Sequence, residues 1–145
     1  MSRPWEREDR EIPLPFFPFS DRFQYVSLEY NRDEGDFAGY PVACPQDASS
    51  DDMDDVAALI ASLDLVVGVP TTAIHLAGAL GVPAICLLNE FPSWRFGIDG
   101  DTMVWHDSVK LIRRGKVGLH EALEQLSEAI DAHFGRAIKY VAHNA

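Results

Sequence analysis

Two threonines and a histidine lie within five residues of one another and carry the strongest chemical signal in this chain. Thr71 and Thr72 directly precede an apolar, helix-forming run. Their hydroxyls and the first free backbone N–H groups of a helix would offer hydrogen bonds to an anion such as phosphate. His75 follows one turn later and could face a ligand crevice. The alternatives are a plain capping pair of threonines and a histidine packed in the core.

A second candidate set follows the next apolar run. Asn89 begins a loop in which Trp94 and Arg95 place a stacking ring beside a cation that can make bidentate contacts. Loops that leave the carboxyl end of a central strand commonly contact ligand, so these three residues are candidate binding residues. The alternative is a surface arginine packed along an aromatic ring. Arg113 and Arg114, further along the chain, are interpreted as solvated.

Other catalytic patterns are missing from the sequence. It contains no G-x-S-x-G, no G-x-G-x-x-G and no P-loop motif, which argues against a nucleophile-elbow hydrolase, a dinucleotide oxidoreductase and a P-loop NTPase. Four aspartates in residues 51–55 precede a helical segment and are interpreted as favourable N-terminal charge rather than as metal ligands. No zinc-type spacing of Cys and His occurs, so no bound metal is expected.

Hydrophobic patterning predicts the elements that would position these residues. Residues 65–69 form a short β-branched run, typical of a strand covered on both faces, and Pro70 ends it. A helix over 73–80 follows, with Gly81 just past its C-terminus and a second buried strand over 83–88. Two strands joined by a helix in this way should be parallel, and ligands bind at the carboxyl edge of such sheets.

The remaining chain supplies further elements. Residues 1–22 form a Pro-rich lead-in whose aromatic patch at 16–19 is expected to dock on the domain. Patterning predicts strands over 23–28, 40–44 and 109–112, a helix over 53–62, and a C-terminal helix with an apolar stripe at Leu119, Ala122, Leu123, Leu126, Ala129, Ile130 and Phe134. The sequence therefore predicts an α/β fold, doubly wound around a mainly parallel sheet, over residues 23–135 with a tail over 136–145.

Composition restricts the class of partner. The net charge of −11 argues against general binding to nucleic acid or to an anionic membrane, yet local donors could still hold a phosphate-bearing ligand. No apolar run approaches the ~20 residues of a transmembrane helix, and no signal peptide is evident. Cys44 and Cys86 are expected to be reduced and structural, which suits a cytoplasmic protein.

The order of these motifs resembles a known family. Residues 64–88 (DLVVGVPTTAIHLAGALGVPAICLL), followed by SWRF at 93–96, resemble the C-terminal domain of heptosyltransferase-like GT-B glycosyltransferases, above all the bacterial ones carried with TPR repeats. Shorter segments extend the resemblance over residues 9–114: DREIPL at 9–14, VSLE at 26–29, DVAAL at 55–59 and WHDS at 105–108, which are similar to the family's D-R-x-R-S-I-P-L, V-S-L-Q, D-T-A-A-L and W-Y-P-S.

The resemblance implies a Rossmann-like domain that holds a nucleotide sugar as substrate, with no cofactor and no metal. The turn and helix N-terminus at Thr71, Thr72 and Ala73 would take the diphosphate. His75 matches the motif histidine and would stabilise the departing diphosphate. The catalytic base of such an enzyme is usually supplied by another domain, so no catalytic residue besides this candidate is assigned.

Two departures from the family pattern affect the expected activity. The family motif D-T-[ST]-x-x-H begins with Asp, whereas this chain has Pro70, which offers neither a carboxylate nor an N–H. GT-B catalysis also takes place between two domains, and this chain leaves no room for the acceptor-binding one. The match even begins after the expected first strand of the C-terminal domain.

These departures leave several interpretations open. The first is an incomplete glycosyltransferase domain, inactive by itself, that a separate acceptor-binding domain or chain completes. A homo-oligomer is compatible with it, because a missing strand would leave a sheet edge to cover. The second is a non-catalytic nucleotide-binding or protein-interaction domain that kept the fold. An unrelated flavodoxin-like binding module is the third.

Overall fold

The structure is a computed structural model that describes residues 11–143. Its strands are β1 (Tyr25–Val26), β2 (Val42–Ala43), β3 (Val66–Gly68), β4 (Ala84–Leu88), β5 (Thr102–Met103) and β6 (His106–Arg113). Its helices are α1 (Met53–Ala61), α2 (Thr72–Leu80) and α3 (Arg114–His143), with 3₁₀ turns at Leu14–Phe16, Glu34–Phe37, Gln46–Ser49 and Trp94–Phe96. Gly118 interrupts α3 with a φ of 79°.

The sheets are mainly parallel. The larger sheet has the strand order β3-β4-β6-β5. In it β3, β4 and β6 run parallel, and β5 pairs antiparallel with β6. Strands β1 and β2 form a separate parallel pair. The expected α/β class is therefore confirmed, with parallel strands predominating.

Both faces of β4 are covered by helices. All five residues of β4 are buried, and successive side chains in a strand point to opposite faces. One face belongs to a cluster shared with α1 and α2, which includes Ala84, Cys86, Leu88, Ile60, Ile74 and Ala77. The other face belongs to a cluster shared with α3, which includes Ile85, Leu87, Ala122, Leu126 and Ile130. Strand β4 is thus the centre of the main core.

The end of α2 follows from local chemistry. Gly81 has a φ of 71°, a left-handed conformation that costs glycine little. Its N–H donates to the carbonyl of Gly78 at 3.1 Å, and the N–H of Val82 donates to the carbonyl of Ala77 at 2.9 Å. This pair of bonds is a Schellman closure, as the sequence predicts.

Several strand boundaries differ from the predictions. Strands β1 and β2 hold only two residues each, because only two residue pairs, Tyr25 with Val42 and Val26 with Ala43, are in register. Strand β6 starts at His106 rather than at residue 109, and β5 was not predicted. The first half of β6 contains no continuous apolar run, and its outer residues stay partly or fully exposed, so hydrophobicity alone did not reveal it.

Strand β3 is less covered than predicted. Val66 is buried, but Val67 and Gly68 are only half-buried, because β3 lies at one end of the four-strand order. Six of the seven residues of the predicted apolar stripe, all but Leu119, belong to the cluster that the C-terminal helix shares with β4. The helix continues to His143 through most of the segment predicted as a tail. None of the helices within residues 11–143 is long and apolar enough to cross a membrane.

Aromatic side chains join the lead-in to the domain. The Phe17 and Phe19 rings meet the Tyr25 ring edge-on, with centroids 5.8 and 4.9 Å apart. Phe23 lies 4.5 Å from Phe134 of α3, whereas Phe16 is 62% exposed. Residues 1–10 of the predicted lead-in, including the start of the DREIPL segment, and residues 144–145 of the predicted tail lie outside the described residues.

The cysteines are free thiols, as expected. Cys86 is fully buried in β4, and burial raises the pKa of its thiol to about 12. Cys44 is half-buried, and desolvation followed by the charge of Glu34 raises its pKa. A thiolate is the reactive form, so neither cysteine is a candidate nucleophile.

Adding a methyl group at Gly78 should destabilise the fold. A Cβ there would lie 2.5 Å from Cδ2 of His106, so Gly78→Ala should cost about 1–3 kcal/mol through overpacking. Gly135→Ala is the matched control, because a Cβ at that helical position meets nothing within 4 Å. Denaturant unfolding should show the control unchanged or more stable by roughly 0.5–1 kcal/mol; equal stability of the two variants would contradict the packing argument.

Candidate functional site

The carboxyl ends of three parallel strands form one edge of the main sheet. Leu88 of β4 pairs in register with Arg113 of β6, and Gly68 of β3 pairs with Cys86 of β4. The turn into α2, the loop after β4 and the start of α3 all leave from this edge. Ligand crevices of α/β proteins lie at this position.

The N-terminus of α2 lacks a side-chain cap. Thr71 occupies the N-cap position, but its side chain accepts no hydrogen bond from the helix, and the first turn contains no acidic residue. The N–H of His75 makes a bond to the Thr71 carbonyl at 3.4 Å, so the N–H groups of residues 72–74 have no acceptor within the helix. Thr71 and Thr72 are exposed, and Ala73 is half-buried. Two hydroxyls and N–H groups without a helix acceptor thus lie at this N-terminus, a position where anions commonly bind.

Helix α1 shows the opposite arrangement. The Asp52 carboxylate accepts a hydrogen bond from the N–H of Asp54 at 2.9 Å, and the first turn of α1 also carries Asp55. The acids lie at the helix N-terminus, as predicted, and Asp52 also caps it. Their charge would repel a phosphate. No group of three or more ligating side chains that could hold a metal ion occurs in the part of the chain that the structure describes.

His75 is a half-buried residue of α2 whose ring faces the loop after β4. Its ring centroid is 5.5 Å from that of Phe96, with the planes inclined by 44°. Burial, the positive charge of Arg95 and then that of His106 lower the pKa of His75. The imidazole is therefore neutral at pH 7 and can both donate and accept a hydrogen bond.

The loop after β4 carries the predicted cation and ring. Phe96 is 2% exposed and belongs to the core cluster under α2, so it anchors the 3₁₀ turn Trp94–Phe96. Arg95 has its guanidinium carbon 5.4 Å from the Trp94 ring centroid. Trp94 is 75% exposed and meets Trp105 edge-on, with centroids 6.5 Å apart. The cation and the ring thus stand together on the surface.

The predicted site residues fall into two groups at this edge. Thr71, Thr72 and Ala73 lie at the first turn of α2. His75 and Arg95 form the second group: the His75 ring contacts the ring of Phe96, the neighbour of Arg95, and the charge of Arg95 lowers the pKa of His75. Asn89 directly follows β4 and is half-buried. Pro70, where the family motif has Asp, lies between β3 and the N-cap of α2.

Sequence reasoning missed Arg113, which was expected to be solvated. Its Nε donates to the carbonyl of Gly100 at 2.8 Å, its Nη1 to that of Gly97 at 3.3 Å, and its Nη2 to those of Phe96 at 2.6 Å and Asp99 at 2.8 Å. Gly97 and Gly100 have φ values of 68° and 84°. In the sequence, these glycines indicated a tight loop. No local pattern indicated that the loop's carbonyls converge on a residue from another strand.

A concave region near the end of β2 does not suit a phosphate. It encloses about 590 Å³ between residues 31–34 and 44–49. Arg32 lies there, but it pairs with Glu29 at 2.9 Å and with Asp36 at 3.4 Å. The coulombic attraction of these carboxylates raises the pKa of Arg32, so its charge is already compensated.

Comparison with known proteins gives one informative similarity. The chain is 35% identical over 105 residues to Protein FlbA of Caulobacter vibrioides, which covers 67% of this chain and 17% of that protein. The chain thus spans about a sixth of the length of the relative it matches. No known family and no solved structure matches the chain.

Protonation of His75 should destabilise the fold as the pH falls. The unfolded imidazole titrates near pH 6.5, and the folded pKa is lower, so the unfolded state binds more protons between the two values. The contribution of His75 to the free energy of unfolding is complete above pH 6.5 and is lost as the pH falls through the folded pKa.

Denaturant unfolding from about pH 8 to about pH 5 measures this effect. His75→Gln should lose less stability over the range than the unaltered chain. His120→Gln is the matched control, because the His120 side chain is 92% exposed. Parallel curves for His75→Gln and the unaltered chain would contradict the assignment.

Proposed function

We propose that this chain is a glycosyltransferase-like domain that binds the diphosphate of a nucleotide sugar at the N-terminus of α2. The observation that carries the proposal is the uncapped first turn at Thr71 and Thr72, located at the carboxyl edge of a parallel sheet. The resemblance of the motif order to GT-B glycosyltransferases supports the choice of ligand. Helices on both faces of β4 support a doubly wound, Rossmann-like arrangement as part of the same proposal.

The residues of the site would stabilise the leaving group. When an acceptor hydroxyl attacks the anomeric carbon, the bond from that carbon to the diphosphate oxygen breaks, and negative charge develops on the diphosphate. The N–H groups of residues 72–74 and the hydroxyls of Thr71 and Thr72 would donate to its oxygens. Arg95 would add positive charge from the opposing loop, and His75 would donate a hydrogen bond. Preorganised donors of this kind lower the barrier because they require no rearrangement as charge develops.

The other half of the reaction is assigned to a separate acceptor-binding domain or chain. That unit would hold the acceptor and the base that takes the proton from its hydroxyl. On this proposal the isolated chain binds donor without turnover. Its two free cysteines suit a reducing, cytoplasmic compartment.

A non-catalytic nucleotide-binding domain is the second candidate. Pro70 is the observation that favours it, because proline removes both a carboxylate and an N–H next to the N-cap of α2. Such a domain would retain the anion-binding turn and serve as a sensor or interaction module.

Nucleotide binding depends on Thr72 and His75 if the proposal holds. Isothermal titration calorimetry with UDP, GDP, ADP and their sugars should detect binding of at least one. Thr72→Ala and His75→Ala should each weaken it by about 10–100-fold, the effect of one hydrogen bond to a charged group.

The controls remove the same side chains elsewhere. Thr102→Ala alters an exposed hydroxyl that bonds only Asp101 among the described contacts, and His120→Ala alters an exposed imidazole. Both should bind as the unaltered chain does. Failure of every nucleotide to bind would overturn the proposal.

Replacing Pro70 tests whether the site is degenerate. Pro70→Asp restores the family's residue and should tighten nucleotide-sugar binding, whereas Pro70→Ala restores only the N–H and separates its effect from that of the carboxylate. Calorimetry of the two variants gives the comparison. Unchanged affinity in Pro70→Asp would show that this position does not limit binding.

A further inference from the structure

Arg113 donates most of the hydrogen bonds that it can make to one loop. A guanidinium has five N–H donors, and four bonds from Arg113 reach backbone carbonyls of residues 96–100. The shortest, to Phe96, measures 2.6 Å. A charged donor makes each of these bonds stronger than a neutral pair. The Arg113 side chain therefore binds the backbone of this loop instead of a carboxylate.

The position of Arg113 makes it a bridge across the base of the loop. It is the last residue of β6 and pairs in register with Leu88, from which the loop departs. The start of the loop also lies close to the start of α3, since a Cβ at Gly115 would be 3.0 Å from the carbonyl oxygen of Glu90. Arg113 thus holds the far part of the loop, while the start of α3 packs closely against its beginning.

The segment that Arg113 holds is the one that faces His75. The Phe96 carbonyl accepts from Arg113, while the Phe96 ring contacts the ring of His75. Arg95 and Trp94 directly precede Phe96 in the same 3₁₀ turn. Displacement of the loop would therefore move the cation and the ring away from α2.

We propose that Arg113 is a positioning residue that holds Arg95 beside His75 at the ligand-binding edge. The assignment of Arg113 to a nucleotide-sugar site rests on the proposed function, whereas the effect of Arg113 on the loop does not. Lysine cannot replace it, because a single ammonium nitrogen cannot reach four separate carbonyls in fixed directions. Arg113→Lys therefore keeps the charge and removes the geometry.

The pKa of His75 reports the position of Arg95. The charge of Arg95 lowers that pKa, so Arg95→Gln should raise it. Arg113→Lys should raise it by a comparable amount, and Arg95→Gln/Arg113→Lys should add nothing to Arg95→Gln. NMR titration measures the pKa, with the His75 signal assigned by its loss in His75→Asn.

Two further variants complete the experiment. Arg22→Lys is the matched control, because Arg22 pairs with Asp131 of α3 at 3.1 Å instead of with the loop, and the pKa of His75 should not change. If Arg113→Lys does not fold, Gly97→Ala provides a second test. Alanine at a φ of 68° strains the loop, and the resulting displacement of Arg95 should raise the pKa of His75. A pKa unchanged in Arg113→Lys or in Arg95→Gln would overturn the proposal.

Ligand binding separates this inference from the proposed function. In a chain that binds a nucleoside diphosphate, Arg113→Lys should weaken binding by about tenfold or more through misplacement of Arg95, with Arg22→Lys unaffected. Unchanged affinity would overturn the role of Arg113 in the site. If the unaltered chain binds no nucleotide, the proposed function fails, and the NMR titration alone decides whether Arg113 positions Arg95.

Discussion

The burial of β4 on both faces is the constraint on which the rest of the structure depends. Each of its five residues is buried, so α1 and α2 must cover one face while α3 covers the other. Removal of this much apolar surface from water is the main stabilising contribution available to a domain of this size. The neighbouring strands β3 and β6 both pair with β4 in parallel. The carboxyl edge that carries the candidate site follows from that pairing.

Local electrostatics at this edge differ from those of the chain as a whole. The net charge is −11, yet the first turn of α2 carries no acid, while that of α1 carries two. Arg95 and the dipole of α2 supply positive potential at the same place. On the proposed function, this local field would favour a compact anion over an extended polyanion, which the net negative charge of the chain would repel.

The loop after β4 shows how the core transmits order to the surface. Phe96 is buried in the cluster beneath α2, while its neighbours Trp94 and Arg95 are exposed. Arg113 donates to the carbonyls of Phe96 and Gly97. One buried ring and one guanidinium thus hold a surface cation and ring in place, so these two exposed residues need few contacts of their own.

The sequence by itself determined what local interactions decide. The extents of α1 and α2, the left-handed Gly81 and the buried apolar run of β4 were predictable, because each depends on residues within a turn or a strand of one another. The two threonines left open whether a side chain caps the N-terminus of α2, and the structure shows no such cap.

Tertiary structure alone decided the features that depend on distant pairing. The short strand β5 exists because β6 offers it a partner, and β3 is partly exposed because it lies at one end of the strand order. The contact between the rings of His75 and Phe96 joins two segments about 20 residues apart in sequence. Arg113 looked like a solvated residue because its four acceptors are backbone carbonyls, and no side-chain pattern records where carbonyls converge.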